Sequence, residues 1–342
     1  MDVEALGNLL AALPLPAVLI GPSERVLRMN LPATTLLGTG LEGRHYITAL
    51  RQPGLLDAVE ATRASGIARQ VEYLAHDGAQ DTTWNVTVAP VGVGLLLSFE
   101  DRTAAQEVGQ MRRDFVANVS HELRTPLTAL IGYIETLQGP AKDDAVARAR
   151  FLDTMAREAQ RMNRLVSDLL SLSRVEADAR VRPTATVELV GLLQQVVGLL
   201  RTIADEAGAT ITLDCDVEAA AVAGDGDQLR QVFVNLTENA IKYGGGTVRI
   251  TLSSDPQMRV LRGPGVRVDV TDNGRGIDPV HLPRLTERFY RIDTHRSREV
   301  GGTGLGLAIV KHILNRHRGR LRISSQPGQG SRFSVLLPLK NA

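Results

Sequence analysis

Two apolar stripes at helical spacing constrain this chain more than any other feature. Val116, Val119, Leu123, Leu127, Leu130, Ile134 and Leu137 are separated by 3, 4, 4, 3, 4 and 3 residues, which lays them along one side of a helix. After a Gly139-Pro140 break, Leu152, Met155, Ala159, Met162, Val166 and Leu169 alternate by 3 and 4, the seam of a bundle or coiled coil. Two such helices fold back as an antiparallel hairpin whose stripe is too exposed alone. Pairing two hairpins into a four-helix bundle covers it, so the spacing predicts a homodimer.

On the first helix His121 lies about 200° around the axis from both Val119 and Leu123, at 100° per residue, and so faces water. Pro126 sits inside the same pattern, where it removes the bond to the Glu122 carbonyl at a cost of about 3 kcal/mol or more. Strain of this kind clusters at functional sites. Alone, His121 is an ordinary surface histidine on a kinked helix; the surrounding string Ser120-His121-Glu122-Leu123-Arg124-Thr125-Pro126-Leu127 makes it more than that.

A second constellation lies further on. Asn235, Asn239 and Lys242 are spaced by 4 and 3, so two amides and an ammonium project from one helix face. An amide oxygen suits Mg²⁺, and Lys242 suits phosphate. Val266, Val268 and Val270 alternate with Arg267, Asp269 and Thr271, and Asp272 falls on the valine parity. A carboxylate aimed into an apolar layer needs a partner, which an adenine amine would supply. Asn273-Gly274-Arg275-Gly276-Ile277 reads as a tight turn whose glycines let the backbone approach the base. The run Gly301-Gly302-Thr303-Gly304-Leu305-Gly306 opens into an apolar helix, an anion site by its N–H groups and dipole. It lacks the Gly-Lys-Ser/Thr of a Walker loop, and no Rossmann strand precedes it.

The string around His121 resembles the H-box of the sensor histidine kinases residue for residue. The later stretches resemble the N, G1, F and G2 boxes of the Bergerat ATP-binding fold, shared with type II topoisomerases and Hsp90 chaperones. The resemblance covers about 106–340, some two thirds of the chain. It implies ATP and Mg²⁺ as cofactors, His121 as nucleophile, Glu122 as the base on its imidazole, and Thr125 as the residue that positions water to dephosphorylate a partner response regulator. It further implies that Asn239 carries Mg²⁺, that Asn235, Lys242 and Tyr243 line the triphosphate, and that Asp272, Gly274 and Gly276 hold adenine. Gly302, Thr303, Gly304, Leu305 and Gly306 form the phosphate loop. In the run Glu287-Arg288-Phe289-Tyr290-Arg291, Phe289 packs a lid spanning 278–302, and Arg288 or Arg291 reaches the γ-phosphate. Phe289 to Asp293 with Ser297 to Thr303 looks like the PhoR-type phosphate-regulon sensors.

Residues 10–100 read as a small α+β unit with an antiparallel sheet and helices on one side. Its strands are expected at Ala17 to Ile20, up to Met29, around Val71 and Tyr73, at Trp84 to Val88 and at Val93 to Phe99, with a His76-Asp77-Gly78 turn. Asp101-Arg102-Thr103 starts the next helix. This resembles a PAS sensor domain. The expected fold is multidomain α+β: a PAS-like sensor over 1–103, a dimerisation and phosphoacceptor hairpin over 104–180, and a Bergerat α/β sandwich over 181–342 that begins with a connection at 181–190. His45 and His76 are isolated and read as surface residues rather than metal or haem ligands.

A net charge of +1 from 39 basic and 38 acidic residues argues against blanket phosphate neutralisation of nucleic acid. The single cysteine, Cys215, reads as a buried thiol in a reducing compartment. The longest apolar stretch, Leu6 to Gly21, is broken by Asn8, Pro14 and Pro16, short of the roughly 20 residues of a spanning helix. A cytoplasmic protein is expected, with association to a membrane sensor complex through partners left open. Two other readings use the same residues: an ATP-driven conformational machine, and a phosphatase-dominant scaffold whose kinase is silent.

Overall fold

The computed structural model describes residues 8–77, 80–92, 94–178, 181–292 and 302–340. Gly78, Val93, Asp293 and Ser297 to Gly301, each part of an expectation above, lie outside the described residues, as does the His76 side chain. The chain divides into two compact units, Met1–Ala117 and Asn118–Ala342.

In the first unit the strands are β1 (Ala17–Ile20), β2 (Val26–Met29), β3 (Arg69–Asp77), β4 (Gln80–Val91) and β5 (Gly94–Asp101). They pair antiparallel in the order β2-β1-β5-β4-β3. Helices α1 (Leu31–Leu37), α2 (Tyr46–Leu50) and α3 (Pro53–Ser65) fill the connection from β2 to β3. Alternation along β5 buries Leu95, Leu97 and Phe99 with Tyr46, Leu50, Leu55 and Val59 of the helices. Ala17 and Leu19 face the other way and pack on Leu10, so the N-terminal segment covers part of the second face.

Asn30 knits this unit together. At 3% exposure it caps α1: its Oδ1 accepts from Ala33 N and from Ala17 N of β1, at 3.0 and 2.9 Å. Its Nδ2 donates to the carbonyls of Leu10, Leu13 and Leu15. His45 has a structural post as well, capping α2 and pairing with Glu24 at 2.9 Å.

Helix α4 (Thr103–Gln138) starts where expected, with Asp101 accepting from Thr103 N. It stays continuous through Pro126, which is buried. Helix α5 (Ala145–Ala177) returns from an Asp144 cap bonded to Val146 N and Ala147 N. Leu127, Ile134, Leu152 and Val166 of the two stripes remain exposed in the single chain. Among the described residues no helix is long and apolar enough to cross a membrane.

The rest of the second unit is a sheet with helices against it. Strands β7 (Thr210–Cys215), β9 (Thr247–Met258), β10 (Gly263–Asp272), β11 (Arg320–Ser325) and β12 (Ser331–Pro338) run in the order β11-β12-β10-β9-β7, with only the β7–β9 pair parallel. Helices α6 (Leu189–Glu206), α7 (Gly226–Tyr243) and α8 (Gly306–Arg316) bury Leu193, Val196, Phe233, Leu236, Ile309 and Ile313, and the sheet buries Val248, Ile250, Val268 and Val270.

Two expectations are corrected here. Part of the 181–190 connection is structured: Thr186–Glu188 forms β6, paired with β8 (Ala221–Ala223), and Leu189 already begins α6. The cause is Glu188, whose carboxylate caps α6 through Val190 N and Gly191 N and also accepts from Ala220 N. Cys215 is exposed rather than buried, because it closes β7, an edge strand.

His317 locks α7 to α8. At 1% exposure, its Nδ1–H donates to Ile313 O at 2.8 Å, and its Nε2 accepts from Asp225 N, at the cap of α7, at 2.9 Å. Burial holds its pKa below the ordinary 6.5, so the folded domain keeps the ring neutral. The stability this adds is fully present above 6.5 and is lost as pH falls through the lower folded value.

Two outcomes follow. Asn30→Ala orphans two buried N–H groups and several carbonyls, and lowers the unfolding free energy of the first unit by roughly 3 kcal/mol. Urea unfolding followed by the fluorescence of Trp84, the chain's one tryptophan, reads that unit directly. For the second unit, protection of α7 amides from hydrogen exchange falls on acidification from pH 7.5 to 5 in the unaltered chain, and His317→Gln flattens that dependence.

Candidate functional site

A cavity of about 600 Å³ opens in the second unit between the helices, the loops after β10 and the inner face of α5. That volume suits a nucleotide-sized ligand. One wall is α7, where the 3.6-residue repeat brings Asn235, Glu238, Asn239 and Lys242 onto one face, with Tyr243 at its end. Lys242 Nζ reaches Glu238 at 2.6 Å. The Asn235 Nδ2 is buried and has no hydrogen-bond partner among the described residues, which is the state of a group built to meet a ligand.

The floor is Asp272, 8% exposed at the end of β10. Burial pushes its carboxyl pKa up, against the pull of two N–H donors. Both bond Oδ1: Gly274 N at 2.9 Å and Ser331 N at 3.2 Å. The turn beyond is held by Asn273, whose Oδ1 accepts from Thr247 N. Gly276 adopts φ +70°, and a Cβ there would stand 1.9 Å from Gln326 O. Gly274 is equally confined, since a Cβ would meet Tyr243 O at 2.5 Å.

The far side is the glycine run and the start of α8. Leu305 occupies the cap position without a side-chain bond to the helix, so the first N–H groups of α8 have no partner from that side chain. Gly302, Thr303, Gly304, Gly306 and Leu307 line the cavity there. From the segment after the turn come Ile277, Asp278, His281, Leu285, Tyr290, Arg291 and Ile292. Tyr290 is fastened by its hydroxyl to His281 Nδ1 at 2.7 Å, and the Arg284 guanidinium stacks 4.3 Å from its ring centre.

The hairpin supplies the remaining wall, with Arg164, Ser167 and Asp168 of α5. Thr303 Oγ1 donates to Asp168 Oδ2 at 2.6 Å, and burial raises the Asp168 pKa. Glu122 accepts from Arg161 at 2.9 Å and from Arg291 at 3.1 Å. Glu176 pairs with Arg288 and, at 3.5 Å, with His312.

Of the residues expected to hold nucleotide, Asn235, Asn239, Lys242, Tyr243, Asp272, Gly276, Arg291, Gly302, Thr303, Gly304 and Gly306 line the cavity, whereas Gly274, Arg288, Phe289 and Leu305 do not. The reasons are local. Gly274 packs closely against the backbone of Tyr243 and Gly244, where a Cβ would not fit. Arg288 is turned to Glu176. Phe289 takes a left-handed φ of 64°, and its N–H donates to Gly304 O. Leu305 is fully buried in the core. His121 is exposed on α4 and is not part of the lining, while Thr125 donates its hydroxyl to the His121 carbonyl at 3.1 Å. The residues 293–301 of the expected lid lie outside the described residues.

Sequence reasoning missed His281, Ser331, Phe333 and the three hairpin residues. Ser331 and Phe333 join through the β10–β12 register, which sets Asp272 opposite Ser331. Nothing local announces such partners.

Comparison with known proteins gives the following. The family model described as "Histidine kinase-, DNA gyrase B-, and HSP90-like ATPase" matches residues 224–341. The model described as "His Kinase A (phospho-acceptor) domain" matches residues 111–178. The phosphate regulon sensor protein PhoR of Pseudomonas aeruginosa is 45% identical over 241 residues, 70% of this chain and 53% of the relative. The sensor protein kinase WalK of Staphylococcus saprophyticus is 33% identical over 322 residues, 92% of this chain and 52% of the relative. The chain spans about half the length of these curated relatives. The crystal structure of histidine kinase ThkA in complex with response regulator protein TrrA is similar at a TM-score of 0.53 and 20% identity, over 97% of this chain and 98% of that one, a likeness of fold.

Proposed function

The chain belongs to the sensor histidine kinases, and from that premise we propose that it transfers the γ-phosphoryl group of ATP to His121 and then to an aspartate of a response regulator. The observation that carries this reading is the cavity: a buried carboxylate, an amide without a partner among the described residues and a helix start with no bond from its cap side chain open into one space of nucleotide size. That space shares a unit with the helix that bears His121.

In this mechanism Asp272 accepts a hydrogen bond from the adenine amine, and Asn235, Lys242 and the first N–H groups of α8 meet the phosphates. Mg²⁺, when bound, neutralises phosphate charge, and Asn239 holds it through its amide oxygen. An imidazole nitrogen of His121 attacks the γ-phosphorus; an N–P bond forms, the bond to the bridging oxygen breaks, and ADP leaves. Glu122 takes the proton from the other imidazole nitrogen. Positioning and charge neutralisation carry most of the rate. Thr125, one turn from His121, orients water for removing phosphate from the regulator.

Residues 1–103 act as a PAS-like sensor, 104–180 as the dimerisation and phosphoacceptor region, and 181–342 as the ATP-binding domain. Leu127, Ile134, Leu152 and Val166, exposed in the single chain, support a homodimer, since a second hairpin would cover them. This stretch of chain works in the cytoplasm, where ATP and a regulator are at hand. A PhoR-like response to phosphate supply is the subfamily reading, supported by the 45% identity.

Incubation with γ-labelled ATP and Mg²⁺ therefore yields protein-bound label that survives alkali and is lost in acid, and His121→Gln abolishes it; label absent under all conditions would end this reading. Thr125→Ala retains the label at His121 but slows dephosphorylation of the phosphorylated regulator by about 10-fold or more, as loss of a water-positioning group does. A time course of regulator phosphate decides it.

A further inference from the structure

Arg291 serves two places at once. It lines the cavity, yet its side chain is only 6% exposed and its guanidinium donates to Glu122 Oε2 at 3.1 Å. Arg161 of the hairpin donates to that same oxygen at 2.9 Å. A carboxylate oxygen offers two lone pairs, and two guanidinium donors converge on this one. Neighbouring positions on a helix point about 100° apart, so Glu122 must swing across the helix surface to meet the imidazole of His121. Its contact with Arg291 holds it turned toward the ATP-binding domain instead. A second hairpin carboxylate behaves alike: Asp168 takes the hydroxyl of Thr303, another cavity-lining donor. Hairpin carboxylates thus sit on donors of the cavity that a polyphosphate would also use.

We propose that Arg291 is a positioning residue that ties nucleotide binding to release of the base: it restrains Glu122 until a triphosphate in the cavity takes over its guanidinium. The inference rests on reading Glu122 as the base for His121. Its thermodynamic core is a competition of two anions for one guanidinium, and such coupling is reciprocal. Removing the Glu122 charge therefore tightens nucleotide binding, although Glu122 does not line the cavity, and it does so only while Arg291 is present.

The test is a double-mutant cycle on the full chain, read by calorimetric binding of adenylyl imidodiphosphate with Mg²⁺. Glu122→Gln, and Glu122→Ala as a second variant, bind the analogue about 5- to 20-fold tighter than the unaltered chain, the lower part of the range of ordinary allosteric coupling. In an Arg291→Ala background either change alters affinity by roughly twofold at most. Glu176→Gln is the control for loosened docking, because it breaks the contact to Arg288 and His312 without touching Arg291. No gain from either Glu122 variant overturns the proposal, as does an equal gain from Glu176→Gln or one that persists without Arg291. Thermal melts verify that each variant is folded. Since binding of the analogue involves no phosphoryl transfer, failure of the cycle in a chain that labels His121 sinks the coupling alone. A working cycle in a chain that never labels His121 sinks the kinase reading and leaves the competition standing.

Discussion

A carboxylate buried at the end of a core strand organises the second unit. Asp272 continues the inward row of Val266, Val268 and Val270, and an ionised group in that row is tolerable only if hydrogen-bonded. Its Oδ1 draws in two backbone N–H groups, one from each direction. Gly274 N folds the turn back over the strand end. Ser331 N ties β12 to β10 in the register that sets Asp272 opposite Ser331. A slip of one residue would turn Phe333, Val335 and Leu337 to the other face. The bonds that make the carboxylate acceptable therefore also align the sheet and shape the cavity floor.

Periodicity made the scaffold of the site legible. The face of α7 follows from spacing, and Asp272 is singled out by strand parity, because each rule needs only one element's geometry. Motif membership was less discriminating. Gly274, Arg288, Phe289 and Leu305 sit in the right stretches but are not among the cavity lining, and a motif does not say whether a residue serves the ligand or the loop that holds it. Ser331 and Asp168 were illegible for a different reason. Each reaches the cavity through a tertiary relation, a sheet register for one and a helix packed against the domain for the other. Cys215 shows the same limit, since nothing along β7 marks it as an edge strand.

The segment from Arg288 to Arg291 shows how backbone strain sorts side chains. Phe289 is held at φ 64°, a conformation costly for an aromatic residue and kept only where its surroundings enforce it. The enforcement is its N–H bond to Gly304 O, with Gly304 itself at φ +73°. Reversing the chain at that point sends Arg288 to Glu176, Tyr290 to His281 and Arg291 to Glu122. Three neighbouring side chains thus anchor one short strap to the base of the hairpin, the segment that follows the turn after β10 and the helix of His121.

Those anchors are charged or polar, and the choice follows from what the contact has to do. The seam between hairpin and domain is partly apolar, since α5 packs on α8 and buries Leu165, Leu172 and Val175, and such cover gains about 25 cal/mol for every Å². A partly buried ion pair behaves differently: desolvation cancels much of the Coulomb gain, so the net hold is small. It can still demand strict geometry, because a carboxylate or guanidinium left buried without a partner is expensive. A contact of that kind is weak overall yet exacting about its partner, and an incoming anion can replace the carboxylate without leaving the guanidinium unpaired. Arg291 facing both Glu122 and the cavity meets each of these conditions. The Thr303 hydroxyl on Asp168 adds a neutral donor to the same seam. The apolar part of the seat therefore supplies area, and the polar bonds supply the geometry that only a matching partner can satisfy.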